Sequence, residues 1–105
     1  MIVYFHCDDT SRVTACGFKS SRSAANYIAG RISELASYHR RRLPDGSMQD
    51  IVPKQILTDI ESITSSTKGN VETTVVALQK AIDLYETCIG STSKCHIIED
   101  VKIVS

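Results

Sequence analysis

The stretch SRSAANYIAGRISELASYHRRRL, Ser21 to Leu43, decides how the rest of the chain can fold. Ala25, Ile28, Ile32, Leu35 and His39 recur at spacings of 3, 4, 3 and 4, which sets them on one stripe of an α-helix. Ser20, Ser21 or Ser23 can cap its start, where a hydroxyl accepts a bond from an orphan backbone N–H. Pro44 disfavours a helical conformation at Leu43 and Asp45-Gly46 reads as a turn, so a helix is predicted over 21–43. It would end in His39-Arg40-Arg41-Arg42, where cations suit the negative end of the helix dipole. Tyr27, Arg31, Glu34, Tyr38 and Arg41 form a second stripe beside the apolar one. Such side chains either cover the core edge or form a docking face, since tyrosine and arginine are enriched at binding hot spots.

Working outward, Met1–Cys7 is rich in β-branched and aromatic residues and nearly continuously apolar, as in a central strand covered on both faces. Asp8–Arg12 reads as a polar turn, and Val13–Phe18 as a second strand that forms a hairpin with the first. Gly17 there marks a bulge. Past the helix, Pro44–Asp50 reads as a loop. Pro53 suits the first turn of a second helix with the stripe Ile56, Leu57, Ile60 and Ile63. Thr64–Thr67 frays that helix, and Lys68-Gly69-Asn70 ends it. Val71–Ile89 is a third helix, capped by Asn70 and stopped by Gly90. Lys94–Val104 returns to strand character. Cys95, Ile97, Val101 and Ile103 would share one face, with Ile98 and Val104 on the other and a bulge at Glu99-Asp100.

The order is therefore β-β-α-α-α-β: an α+β chain with a three-stranded antiparallel sheet in order 2-1-3 and three helices on one face. The uncovered face would expose tyrosines and isoleucines of the first and last strands and so favour a partner or a homodimer.

Twelve basic residues balance twelve acidic ones, which argues against a general nucleic-acid coat while permitting a local basic patch. With 105 residues the chain is expected to form a single domain over 1–105. Apolar residues make up 42% and charged residues 23%, so the composition does not favour disorder. No apolar run reaches the roughly 20 residues of a membrane span. Met1 opens directly into strand-like sequence without a basic leader, and the expected localisation is cytoplasmic.

The common catalytic patterns are missing. There is no glycine-rich phosphate loop, no Gly-x-Ser-x-Gly elbow and no His-Glu-x-x-His. Asp8-Asp9 and Glu99-Asp100 read as solvated turn or strand-end residues. Cys7, Cys16, Cys88 and Cys95 are separated by 9, 72 and 7 positions, unlike a zinc ribbon or a thioredoxin-like pair. Cys7 and Cys16 would face one another across the hairpin. Antiparallel pairing of the first and last strands would bring His6-Cys7 beside Cys95-His96, a weak metal-ligand set, because neighbours on a strand point to opposite faces.

No cofactor is expected, and the reading leans away from an enzyme. The expectation is a non-enzymatic protein-binding module contacting its partner through Tyr27, Arg31, Glu34, Tyr38, Arg40, Arg41 and Arg42. In size and texture, though in no particular residue, the chain looks like small inhibitors or regulators from phages and other mobile elements. That likeness implies inhibition of a host nucleic-acid-handling complex, such as a CRISPR-like defence system. The alternatives are a nucleic-acid or nucleotide binder gripping phosphates through Arg40, Arg41 and Arg42, and a thiol- or metal-dependent enzyme.

Overall fold

The computed structural model describes residues 1–7, 10, 12–67, 70–90 and 96–102. The Asp8-Asp9 pair, the Lys68-Gly69 stop, Cys95, Ile103 and Val104 lie outside the described residues. The expected elements are β1 (Ile2–Cys7), β2 (Val13–Phe18), α1 (Ser21–Tyr38), α2 (Lys54–Ser65), α3 (Val71–Ile89) and β5 (His96–Asp100). Two short strands follow α1, namely β3 (Arg40–Arg42) and β4 (Met48–Asp50). The main sheet has the order β2-β1-β5, antiparallel throughout, and β3 and β4 form a separate two-stranded ribbon.

Alternation along β1 sorts the sheet residues. Ile2, Tyr4 and His6 face the helices, opposite Phe18, Cys16 and Thr14 on β2, while Tyr4 and His6 also face Ile98 and His96 on β5. α1 packs on β1 and β2, α3 packs on β5, and α2 packs on both other helices. Ile2, Tyr4, Ile28, Ile32, Ile60, Leu78, Ile82 and Ile98 form the buried cluster between them. Burying one such aliphatic side chain contributes about 1.5–3 kcal/mol. The Ile98 N–H donates to Gln79 Oε1 at 3.1 Å, so α3 also covers part of the outer edge of β5.

Several readings are corrected. Tyr4 and Ile98 lie under the helices, not on the uncovered face, where Val3, Phe5 and Ile97 are half-buried. Glu99 and Asp100 pair regularly with Val3 and Ile2, so there is no bulge. Gly17 pairs regularly with Val3, and the Met1 side chain fills the space its missing Cβ leaves. Cys7 and Cys16 sit on opposite faces, because Cys7 pairs with Val13 and Cys16 with Tyr4. The α2 helix runs through Thr64, which is buried, to Ser65.

The largest correction is at the end of α1. The helix stops at Tyr38, and His39 is extended, with its ring edge-on to Tyr85 at 5.8 Å. Arg40–Arg42 is therefore a strand and not the last turn of a helix, so the dipole argument does not apply to it. The proposed loop Pro44–Asp50 is a tight turn followed by β4. Ser47 N–H and Oγ both donate to Asp45 Oδ1, at 2.9 and 2.6 Å, which closes the turn. Gly46, at φ +88°, supplies the left-handed residue it needs.

Candidate functional site

The antiparallel register gathers a polar, aromatic cluster on the helix side of the sheet. His6 lies directly opposite His96, and the two rings stack at 4.6 Å and 6°. Tyr4, two residues before His6 on the same face, hydrogen-bonds through its hydroxyl to His96 Nδ1. Tyr85 closes the cluster edge-on to His96 at 6.3 Å. From α1, Tyr27 packs against Tyr4 and Phe18 at 5.8 and 5.1 Å. Arg31 follows Tyr27 by one helical turn, and its ion pair with Glu34 is long, at 3.6 Å.

The electrostatics follow from burial. Desolvation pushes the Tyr4 phenol up to about 12, opposed by the nearby Arg31 charge and a hydrogen bond from Arg31. Desolvation also pushes His96 down to about 4, with the charges of His6 and Arg31 acting in the same direction. At neutral pH the phenol is therefore protonated and the imidazole neutral. The phenol hydroxyl and His96 Nδ1 then share one hydrogen bond. Burial likewise raises Tyr85, with the charge of buried Glu86 adding to it.

Tyr4, His6, Thr14, Cys16, Tyr27 and Arg31 line a cavity of about 270 Å³ between α1 and the β1–β2 hairpin. A shallower concavity of about 380 Å³ adjoins it across α1, lined by Asn26, Tyr27, Gly30, Arg31 and Glu34. The arrangement offers a half-buried cation, two phenols and an imidazole.

The proposed docking stripe is thus divided. Tyr27, Arg31 and Glu34 belong to this cavity and its mouth. Tyr38, 73% exposed, stands at the other end of α1 beside the ribbon carrying Arg40, Arg41 and Arg42. Arg40 Nε donates to Asp50 Oδ1 at 3.2 Å, and Arg41 Nη2 to Gln49 Oε1 at 2.7 Å. All six residues of β3 and β4 are exposed.

The metal-ligand set is only partly assembled. His6 and His96 meet, but Cys7 faces the other side of the sheet and Cys95 lies outside the described residues. The parallel rings do not converge on a point, and His96 Nδ1 is taken by Tyr4. Among the described residues, no three His, Cys, Asp or Glu side chains are grouped to hold an ion.

Reading the sequence missed Tyr4 and Glu86. Tyr4 was legible in principle, since Tyr4-x-His6 is an i, i+2 pair on one strand face opposite His96. Glu86 carried no signal, being one of three acids on α3, with Glu72 and Asp83. Among the described residues, no helix is long and apolar enough to cross a membrane. No family model, curated protein or solved structure matches the chain.

Proposed function

We propose that the chain is a non-enzymatic binding module that docks a protein partner through the β3–β4 ribbon and the adjoining end of α1. The observation that carries this reading is the exposure of the whole ribbon together with Tyr38, Met48 and Ile51, which are 73%, 55% and 38% exposed. Two-stranded ribbons are marginal alone, and this one is held at its base by buried Val52 and by the Ile51 N–H donating to the His39 carbonyl at 2.9 Å. Arginine, tyrosine and methionine are the types enriched at protein interfaces.

The partner is a protein presenting an acidic, extended segment. The bonded rungs at 39·51 and 43·47 direct the main-chain groups of Arg40 and Arg42 away from β4. That edge can accept a further strand, and carboxylates along it would meet the guanidiniums. In an inhibitor or regulator of a host nucleic-acid-handling complex, this charge fits an acidic protein surface and not the basic groove that holds nucleic acid. A second reading is docking into a nucleic-acid groove, which a two-stranded ribbon also fits. Asp50 and Gln49 already engage Arg40 and Arg41, and the chain is neutral overall, which favours a protein.

The test is site-specific photocrosslinking from position 38 or 48 in the native host, followed by titration of the purified crosslinked protein. One stoichiometric protein is expected, whose affinity falls at least tenfold when Arg40, Arg41 and Arg42 become alanine. Crosslinks to nucleic acid alone, with binding that weakens steeply in salt, would establish the second reading instead.

A further inference from the structure

We propose that the cavity between α1 and the β1–β2 hairpin binds a phosphodiester, with Arg31 gripping the anion and the rings of Tyr27 and His6 flanking the adjoining nucleoside. The site is distinct from the ribbon, and the proposal does not rest on the docking reading.

The first support is the way Arg31 is held. It lines the cavity beside Tyr4, whose hydroxyl is hydrogen-bonded to His96, and the His96 ring is fixed by stacking on His6. A half-buried cation set against an ordered wall has less freedom to lose when a ligand arrives, which reduces the entropic cost of binding. About 30% of the Arg31 side chain remains exposed, and its partner Glu34 is largely solvated at 3.6 Å, so part of the guanidinium fork faces the cavity mouth.

Charge and size select the ligand. Arg31 is the one guanidinium or ammonium, and no carboxylate stands, among the residues lining the cavity, which matches a monoanion better than a dianion. A phosphodiester carries one charge and presents two oxygens to the planar fork. The walls add ring faces and edges from Tyr4, His6 and Tyr27, the surfaces on which unstacked bases pack. At about 270 Å³, the cavity is below the usual range for drug-sized ligands, roughly 300–1,000 Å³, so it fits one nucleotide unit and not a folded polymer. The similar-sized cleft between α1 and α2, lined by Ala29, Ile32, Ser33, Leu57, Ile60 and Glu61, offers no cation among those residues.

The second support is Gly30. It lies inside α1 in the shallower concavity that shares Tyr27 and Arg31 with the cavity, is exposed, and a Cβ built on it meets nothing within 4 Å. Glycine inside a helix weakens it relative to alanine, and no internal packing explains this one. It leaves the helix backbone open beside Tyr27 and Arg31, where a ligand can lie against it.

A phosphodiester can come from a cyclic nucleotide or from a single strand of RNA. The probes are therefore 3′,5′-cyclic AMP and a uridine tetranucleotide, with uridine and acetate as controls. Binding is followed by amide chemical shifts and calorimetry on the full chain. At least one diester should shift Tyr4, His6, Tyr27 and Arg31 saturably, and the tighter of the two identifies the source. Arg31→Lys, which keeps the charge but loses the fork, should weaken binding about tenfold. Gly30→Gln should raise the unfolding temperature while blocking the mouth, an opposition that a purely structural role would not produce. Lys80→Ala, which removes an exposed cation elsewhere, should change nothing. The proposal is overturned if neither diester binds at 10 mM (about 2.7 kcal/mol of binding free energy). Equal binding of acetate or uridine would also overturn it, as would unchanged affinity in both Arg31→Lys and Gly30→Gln.

Discussion

His96 enters the folded state as a neutral ring between Tyr4, His6 and Tyr85, and that has a consequence for stability. Its folded pKa is about 4, against 6.5 when free, because burial and then the charges of His6 and Arg31 disfavour the imidazolium. Between those values the unfolded chain binds a proton that the folded chain does not. Stability is therefore complete above pH 6.5 and is lost as pH falls toward 4. The ring is only half-buried, so solvent screening leaves on the order of 1 kcal/mol from this group. Urea unfolding at pH 7, 5.5 and 4.5 checks this, and His96→Gln should flatten that part of the profile. Hydrogen bonds from Ser47 hold the Asp45 carboxyl below its ordinary range, on the acid side of this window. The meeting of His6 and His96 was legible because antiparallel pairing of the first and last strands sets the end of one beside the start of the other. The inward reach of Arg31 was not legible, because an arginine beside an apolar stripe can equally point to solvent.

The helices hold different amounts of information at their ends. Around α3, Asn70 Oδ1 accepts from the Thr73 N–H at 3.2 Å, and Gly90 at φ +70° closes the last turn with its N–H on the Thr87 carbonyl at 3.2 Å. Both signals are local, and the sequence shows them plainly. Asn70→Ala should cost about 1 kcal/mol and Gly90→Ala about 1–2 kcal/mol, measured as loss in thermal or urea unfolding. The end of α1 shows the opposite case. His39 continues the apolar spacing and arginine is a good helix former, so nothing local stops the helix before Pro44. What stops it is long-range: β4 returns to pair with Arg40–Arg42, and Tyr85 takes the His39 ring. A strand exposed on both faces has no period-2 apolar pattern to betray it. Within α1, Gly30→Ala should add about 0.5–1 kcal/mol of stability, since its Cβ meets open space. No gain in the unfolding midpoint would mean that Gly30 relieves a constraint not visible in its surroundings.

At the scale of the molecule, the core and the ribbon should be energetically separable, and this is what allows the ribbon to be tested as a docking element. Leu78 is fully buried beneath the sheet, at 0% exposure, and Leu78→Ala should cost about 2–5 kcal/mol through lost burial and the cavity left behind. A domain of ordinary stability holds only about 5–15 kcal/mol, so that variant should lose function by unfolding, whatever its surface presents. Replacing Arg40, Arg41 and Arg42 with alanine removes side chains that are exposed and pair only at the surface, such as Arg40 with Asp50 at 3.2 Å. Surface ion pairs contribute about 0–1 kcal/mol, so the triple variant should stay within about 1 kcal/mol of the parent. Urea unfolding of both variants, run beside partner titration, separates the two effects. The expected result is a triple variant that unfolds almost as the parent does yet loses its partner. A triple variant as unstable as Leu78→Ala would mean that the ribbon completes the core, and the docking reading would fall with it.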